Sequence, residues 1–150
     1  MRRILVALDS SHRAPPVFER ACELARAFDA QLIAYRAVLV PQQYPAAAAS
    51  HADPLAPHLL RTAHEELMKL VAKHPEVSMR VVVRAAMSPD LGIIEASDEL
   101  DVDLIVLGSH GYRGLDKLLG TTAGSVANRS RRDVFVVHHF EAPQDARRLV

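Results

Sequence analysis

The chain has 150 residues, 49% of them apolar, which is enough for one well-buried domain and too few for two of ordinary size. Its 18 Lys and Arg balance 18 Asp and Glu, so no charge field selects a nucleic acid or a membrane surface as partner. A lone cysteine, Cys22, excludes an internal disulfide and a cysteine zinc site, and Met1-Arg-Arg3 leads straight into a strand-like run; a cytoplasmic protein without membrane insertion is expected.

In chain order, Ile4-Leu-Val-Ala-Leu8 is a short continuous apolar run, as a central parallel strand covered on both faces requires. A helix is predicted next, with Ser10 or Ser11 as its cap, Pro15 and Pro16 in its first turn, and Val17, Ala21, Leu24, Ala25 and Phe28 at helical spacing. Gln31 to Val40 reads as a second strand. From Pro41 through the alanine run to Asp53 there is proline and no usable period, which predicts a loop. A helix over about Pro54 to Lys73 would place Leu59, Ala63, Leu67 and Val71 on one face, and a third strand is predicted over Val77 to Arg84.

Ser88-Pro-Asp90 is a strong helix start, with a capping hydroxyl, proline at the first position and an acid near the dipole. That helix carries Ile93, Ile94, Ser97 and Leu100 and leads to a strand over Val102 to Leu107. A last helix from Thr121 to Arg131 precedes a strand at Val134-Phe-Val-Val137. The polar tail from Glu141 is set apart from a single domain over residues 1–140. Alternating strands and helices predict a parallel sheet with helices on both faces.

Such sheets bind ligands at the carboxyl ends of strands where the strand order reverses. Leu104-Ile-Val-Leu-Gly-Ser-His-Gly111 runs from a buried strand into glycines, and Gly120 stands before a helix. Glycines let backbone approach an anion, and a helix start supplies N–H donors and the positive end of a dipole, so this pattern suits a phosphate chain. If the first and fourth strands flank the reversal, Asp9 and Gly108 meet in one crevice; the residues alone leave that pairing open.

Together, Ile4-Leu-Val-Ala-Leu-Asp-Ser-Ser11, Asp103-Leu-Ile-Val-Leu-Gly-Ser-His-Gly111 and Leu118-Leu-Gly-Thr-Thr-Ala123 leading to Val134-Phe-Val-Val137 resemble the universal stress proteins, over nearly the whole chain. The resemblance implies a three-layer, open, Rossmann-like α/β fold with a parallel five-stranded sheet of order 3-2-1-4-5. It also implies a dimer and, in one branch of the family, ATP bound through G-x2-G-x9-G-[ST]. Gly111-x2-Gly114-x9-Gly124-Ser125 fits that pattern letter for letter but leaves too short a helix before Val134. Starting at Gly108-x2-Gly111 places Gly120-Thr121 at the helix start, with eight residues between glycines instead of nine; a loop loses a residue more easily than a helix loses a turn.

By that resemblance Ala7 and Asp9 line the nucleoside end of the crevice, Ala37 packs on adenine, and Leu107 sits beside ribose and base. Gly108, His110 and Gly111 wrap the phosphates, while Gly120, Thr121 and Thr122 complete the phosphate site; the ligand is ATP, with or without magnesium. Ala37 stands where the family often has valine, and Met87 where it often has glycine. Bland readings exist beside these. Asp9 suits a turn or cap, Gly108 and Gly111 suit turns, Thr121 caps a helix in either case, and His110 suits a turn, since a catalytic histidine needs an orienting partner.

No P-loop lysine, no G-x-G-x-x-G after the first strand and no G-x-S-x-G elbow is present. Binding is therefore expected over turnover: a nucleotide-linked regulatory protein and not an enzyme, with slow hydrolysis through His110 or Asp9 as the upper limit. The competing expectation is a dimeric interaction module that takes no ATP. In the implied strand order the last strand, Val134, Phe135, Val136 and Val137, is an apolar edge, which would pair with its twin across a two-fold axis.

Overall fold

The computed structural model describes residues 1–39, 55–109 and 120–138. The predicted loop from Pro41 to Asp53 and the tail from Glu141 lie outside the described residues, as do His110 and Gly111. The elements are β1 (Arg3–Ala7), α1 (Ala14–Phe28), β2 (Gln31–Leu39), α2 (Leu55–Val71), β3 (Met79–Ala86), α3 (Pro89–Glu99), β4 (Leu104–Gly108), α4 (Thr121–Arg129) and β5 (Asp133–Val137). All strand pairs are parallel, and the sheet order is β3-β2-β1-β4-β5, as the resemblance implied.

β1 is the centre, with Ile4 aligned to Leu32 of β2 on one side and to Leu104 of β4 on the other. Its alternate residues feed two cores. Ile4, Val6 and Leu8 pack with Val17, Phe18 and Ala21 of α1 and Leu67 of α2, whereas Leu5 packs with Ile93 and Ala96 of α3 and Ala123 and Val126 of α4. Parallel crossovers are right-handed, so reversing the direction of travel from β3 to β4 moves the helices to the opposite face. Both faces of the sheet are thereby covered, which is why β1 and β4 read as unbroken apolar runs.

The start of α1 departs from expectation. Its N-cap is Arg13, without a side-chain cap bond. A capping oxygen accepts from the second or third helical N–H, and here those positions are Pro15 and Pro16, which have none to give. The serines serve the approach to the helix instead: Ser11 N–H and Oγ–H donate to Asp9 Oδ1 at 2.9 and 2.7 Å, and Arg13 N–H donates to Ser11 Oγ at 3.2 Å. Ser88 is the N-cap of α3, but it too makes no side-chain bond to the helix backbone. The hydroxyls of Ser125 and Ser88 bond the Asp90 carboxylate and hold it below the usual range.

Two residues predicted on apolar helix faces are exposed: Phe28, in the last turn of α1, at 49%, and Leu59 at 37%. Leu59 lies in the amino-terminal part of α2, which starts from the carboxyl edge of the sheet and so overhangs its crevice rather than the core. Cys22 is wholly buried, and burial pushes its thiol up to about 12, which keeps it from reacting as a thiolate.

His74, just beyond α2, ties that end of the molecule to α1. Its Nε2 lies 2.8 Å from Glu19 and its Nδ1 3.1 Å from Glu76, and its ring meets Phe18 edge-on at 5.8 Å. Bonding to Glu19 and then Glu76 raises the histidine above its ordinary value. A raised value in the folded state means that the contribution is complete below the unfolded histidine's pKa of about 6.5 and is lost as pH rises through the folded one. The melting temperature should therefore fall more steeply in the wild type than in His74→Gln as pH rises above about 6.5. Parallel melting profiles of the two proteins would contradict this.

Candidate functional site

Because β1 and β4 are neighbours and their crossovers leave in opposite directions, a crevice opens above their carboxyl ends. It has a volume of about 500 Å³, and its lining mixes apolar and polar groups. Its apolar lining includes Ala37, Leu39 and Leu59, along with Pro89 and Ile93 at the start of α3. Asp9 and Thr122 contribute oxygen groups to the lining, and Gly108 contributes backbone. This size and mixture fit a small organic ligand with a flat apolar part and a polar part.

Of the residues selected from the sequence, Ala7, Asp9, Ala37, Leu107, Gly108 and Thr122 line this one crevice. Gly120 is the N-cap of α4 and Thr121 its first residue, immediately before Thr122. His110 and Gly111 lie outside the described residues, so the structure does not bear on them.

Gly108 ends β4 beneath the first turns of α1, where an added Cβ would stand 3.0 Å from Val17 Cγ2. A larger residue there would need the Val17 side chain to give by a few tenths of an ångström. At α4, the Gly124 N–H donates to the Gly120 carbonyl at 2.8 Å, inside the helix. A glycine so engaged offers no N–H to an anion, whereas the first turn, from Thr121, has N–H groups without intrahelical acceptors.

Three residues important to the crevice were not singled out from the sequence. Arg36 is 7% exposed in β2. Its Nε–H donates to the Leu8 carbonyl at 3.2 Å, an Nη2 hydrogen to the Asp9 carbonyl at 2.8 Å, and an Nη1 hydrogen to Glu66 of α2. The signal was a charge inside an otherwise apolar strand, which needs a buried partner. Glu66 stands one helical turn before Leu70, which packs against the core, and it lines the crevice where it reaches Arg36. Tyr35, the third, lines the crevice from the opposite face of β2.

Among the described residues, no group of three or more His, Cys, Asp or Glu is placed to hold a metal ion. Nor is any helix among them long and apolar enough to cross a membrane.

The model of the universal stress protein family matches residues 1–138. Universal stress protein A homolog 1 of Coxiella burnetii is 33% identical over 143 residues, spanning 91% of this chain and 95% of the relative. Among solved structures, UspA of Lactobacillus plantarum superposes with a TM-score of 0.75 at 23% identity, covering 91% of this chain and 97% of that one. A universal stress protein in complex with cAMP superposes with a TM-score of 0.68 at 25% identity, covering 91% and 96%. With the family model spanning both strands that form the crevice and the helix that closes it, the chain belongs to the universal stress protein family.

Proposed function

We propose that the crevice binds an adenine nucleotide, ATP with or without magnesium, and that the protein regulates through nucleotide-linked conformation or assembly. The observation that carries this reading is the crevice itself: six of the residues chosen for a nucleotide meet there, Ala7, Ala37 and Leu107 together with Asp9, Gly108 and Thr122. Two further points support it. α4 begins where the Gly108-x2-Gly111 register needs a helix, with its first-turn N–H groups beside Thr122. The related protein solved with cAMP, at 25% identity, holds an adenine nucleotide on this fold.

Binding, not turnover, is the activity assigned. Asp9 Oδ1 already accepts two bonds within its own turn, and the chain carries no P-loop lysine. Cytoplasmic residence accords with this role. The test is calorimetric titration of the purified chain with ATP, with and without magnesium, beside thermal unfolding. A Kd on the order of micromolar is expected. At a hundredfold excess over Kd, linkage adds about 2.7 kcal/mol, raising the melting temperature by about 5–11 °C. No heat of binding and no thermal shift at millimolar ATP would overturn the reading and leave the interaction module.

Assembly has its own motive. β5 is an edge strand hydrogen-bonded only to β4 in the described sheet, and Phe135 at its centre is 39% exposed. An apolar edge invites pairing, and a two-fold axis would close the assembly with both edges covered. The wild type is expected to be a dimer in light scattering at micromolar concentration, and Phe135→Lys a folded monomer. A monomeric wild type would refute the β5 interface.

A further inference from the structure

Tyr35 is 1% exposed, and its hydroxyl has no hydrogen-bond partner among the described residues. A buried, unpaired hydroxyl costs free energy that phenylalanine, with the same shape, would not. The group is also tightly placed. A Cβ on Gly92, in the first turn of α3, would stand 2.8 Å from both Tyr35 Oη and the Cβ of Ala86, and 3.4 Å from the Cβ of Ala37. Glycine at 92 thus makes the room that the hydroxyl occupies, and the smallness of Ala37 leaves space on the same face of β2, one step nearer the crevice mouth. Tyr35, Ala37 and Ile93 line the same crevice. Burial raises the phenol above its ordinary value, so it stays protonated and can donate at physiological pH.

We propose that the Tyr35 hydroxyl is a specificity-determining donor of the crevice, bonding an acceptor nitrogen on the edge of a purine ring seated against Ala37. This rests on the nucleotide reading above. The ring of an adenine nucleotide offers three such acceptors, N1, N3 and N7, and one of them is the partner. Because the hydroxyl is closed off from solvent in the ligand-free chain, binding includes a small outward shift of the turn from Ser88 to Gly92 that uncovers it. The unpaired hydroxyl is then a cost of the free protein that the ligand relieves, and this preference favours the bound state.

The experiment compares the wild type with Tyr35→Phe, using ATP and its 1-deaza, 3-deaza and 7-deaza analogues as calorimetric probes, and records ligand-free melting of both proteins. Tyr35→Phe should melt no lower than the wild type and bind ATP about tenfold more weakly. One deaza analogue should bind the wild type about tenfold more weakly than ATP does, yet bind Tyr35→Phe as well as ATP does, because the pair is lost only once. Equal ATP affinity in the two proteins overturns the assignment and leaves the nucleotide reading standing. So does a loss in Tyr35→Phe with the same analogue penalties in both proteins, since the effect is then indirect. Absence of ATP binding to the wild type overturns both.

Discussion

Replacing Arg36 with alanine is expected to destabilise the protein by about 3 kcal/mol, lowering its melting temperature by about 6–12 °C. The guanidinium is the donor for two backbone carbonyls, those of Leu8 and Asp9, at the point where β1 leaves the sheet. Leu8 N–H still donates to the Tyr35 carbonyl at 2.9 Å, so β1 parts from β2 one group at a time and its last carbonyls need another partner. Alanine removes those donors, opens a cavity beneath the crevice and leaves Glu66 without its counter-charge. Glu66 tolerates this better, because its side chain is 47% exposed against 9% for Arg36. Glu66→Gln should therefore cost only about 1 kcal/mol. Arg36→Lys should recover part of the loss, since an ammonium keeps the charge but cannot reproduce a fork across three oxygens. Equal melting of the wild type and Arg36→Ala would show that the carbonyls find other donors and that Arg36 does not set the turn.

The same substitution should weaken nucleotide binding in excess of its effect on stability. Arg36 holds the backbone of Asp9, and Asp9 lines the crevice. A turn released there gives a site whose Asp9 segment must be ordered again by the ligand, which reduces the observed affinity.

The elements were legible because each of their signals is local and repeated, while the strand order came from the family resemblance. Apolar runs without polar alternation required strands covered on both faces, and Gly120-Thr121 marked a helix start that the structure places at the same residues. The two cores follow from the alternation of β1 and β4, which a short run encodes completely. The start of α1 was less legible because capping depends on three positions together, and Pro15 and Pro16 remove the donors that a serine would have served. Leu59 has the same phase as Ala63 and Leu67, so periodicity cannot tell a core position from a crevice wall; that depends on how far α2 overhangs the sheet.

Within the candidate site, Gly108 and Gly120 were readable because backbone approach and helix starts leave marks in single segments, whereas Ala7, Ala37 and Leu107 came from the family resemblance. Arg36 and Glu66 were not readable, since they are 30 residues apart and act on carbonyls of a third segment. The value of a charge in an apolar strand depends on which neighbour runs out of partners, and that is a property of the sheet order. Tyr35 was hidden for a similar reason. An aromatic residue in a strand is ordinary, and the missing partner of its hydroxyl is visible only once Gly92 and Ala37 are placed around it.

Ala37→Phe is expected to weaken ATP binding at least about 100-fold, equivalent to about 2.7 kcal/mol, while changing stability by no more than about 1 kcal/mol. Ala37 pairs in register with Arg84 of β3, two residues beyond Tyr35, and its side chain faces the crevice between β2 and the start of α3. Ala37 also packs against the core beside α3, so a phenyl ring there must turn outward into the crevice, where it takes the place that a purine would occupy. Ala37→Val, a smaller enlargement, should lose less than about tenfold. The decisive comparison uses inorganic triphosphate as a second probe. It carries the charge of the nucleotide without the base, and should bind the wild type and Ala37→Phe alike if Ala37 is the base wall and the α4 start is the phosphate end. Loss of both ligands together would mean that phenylalanine distorts the whole crevice, and unchanged ATP affinity would place the base elsewhere.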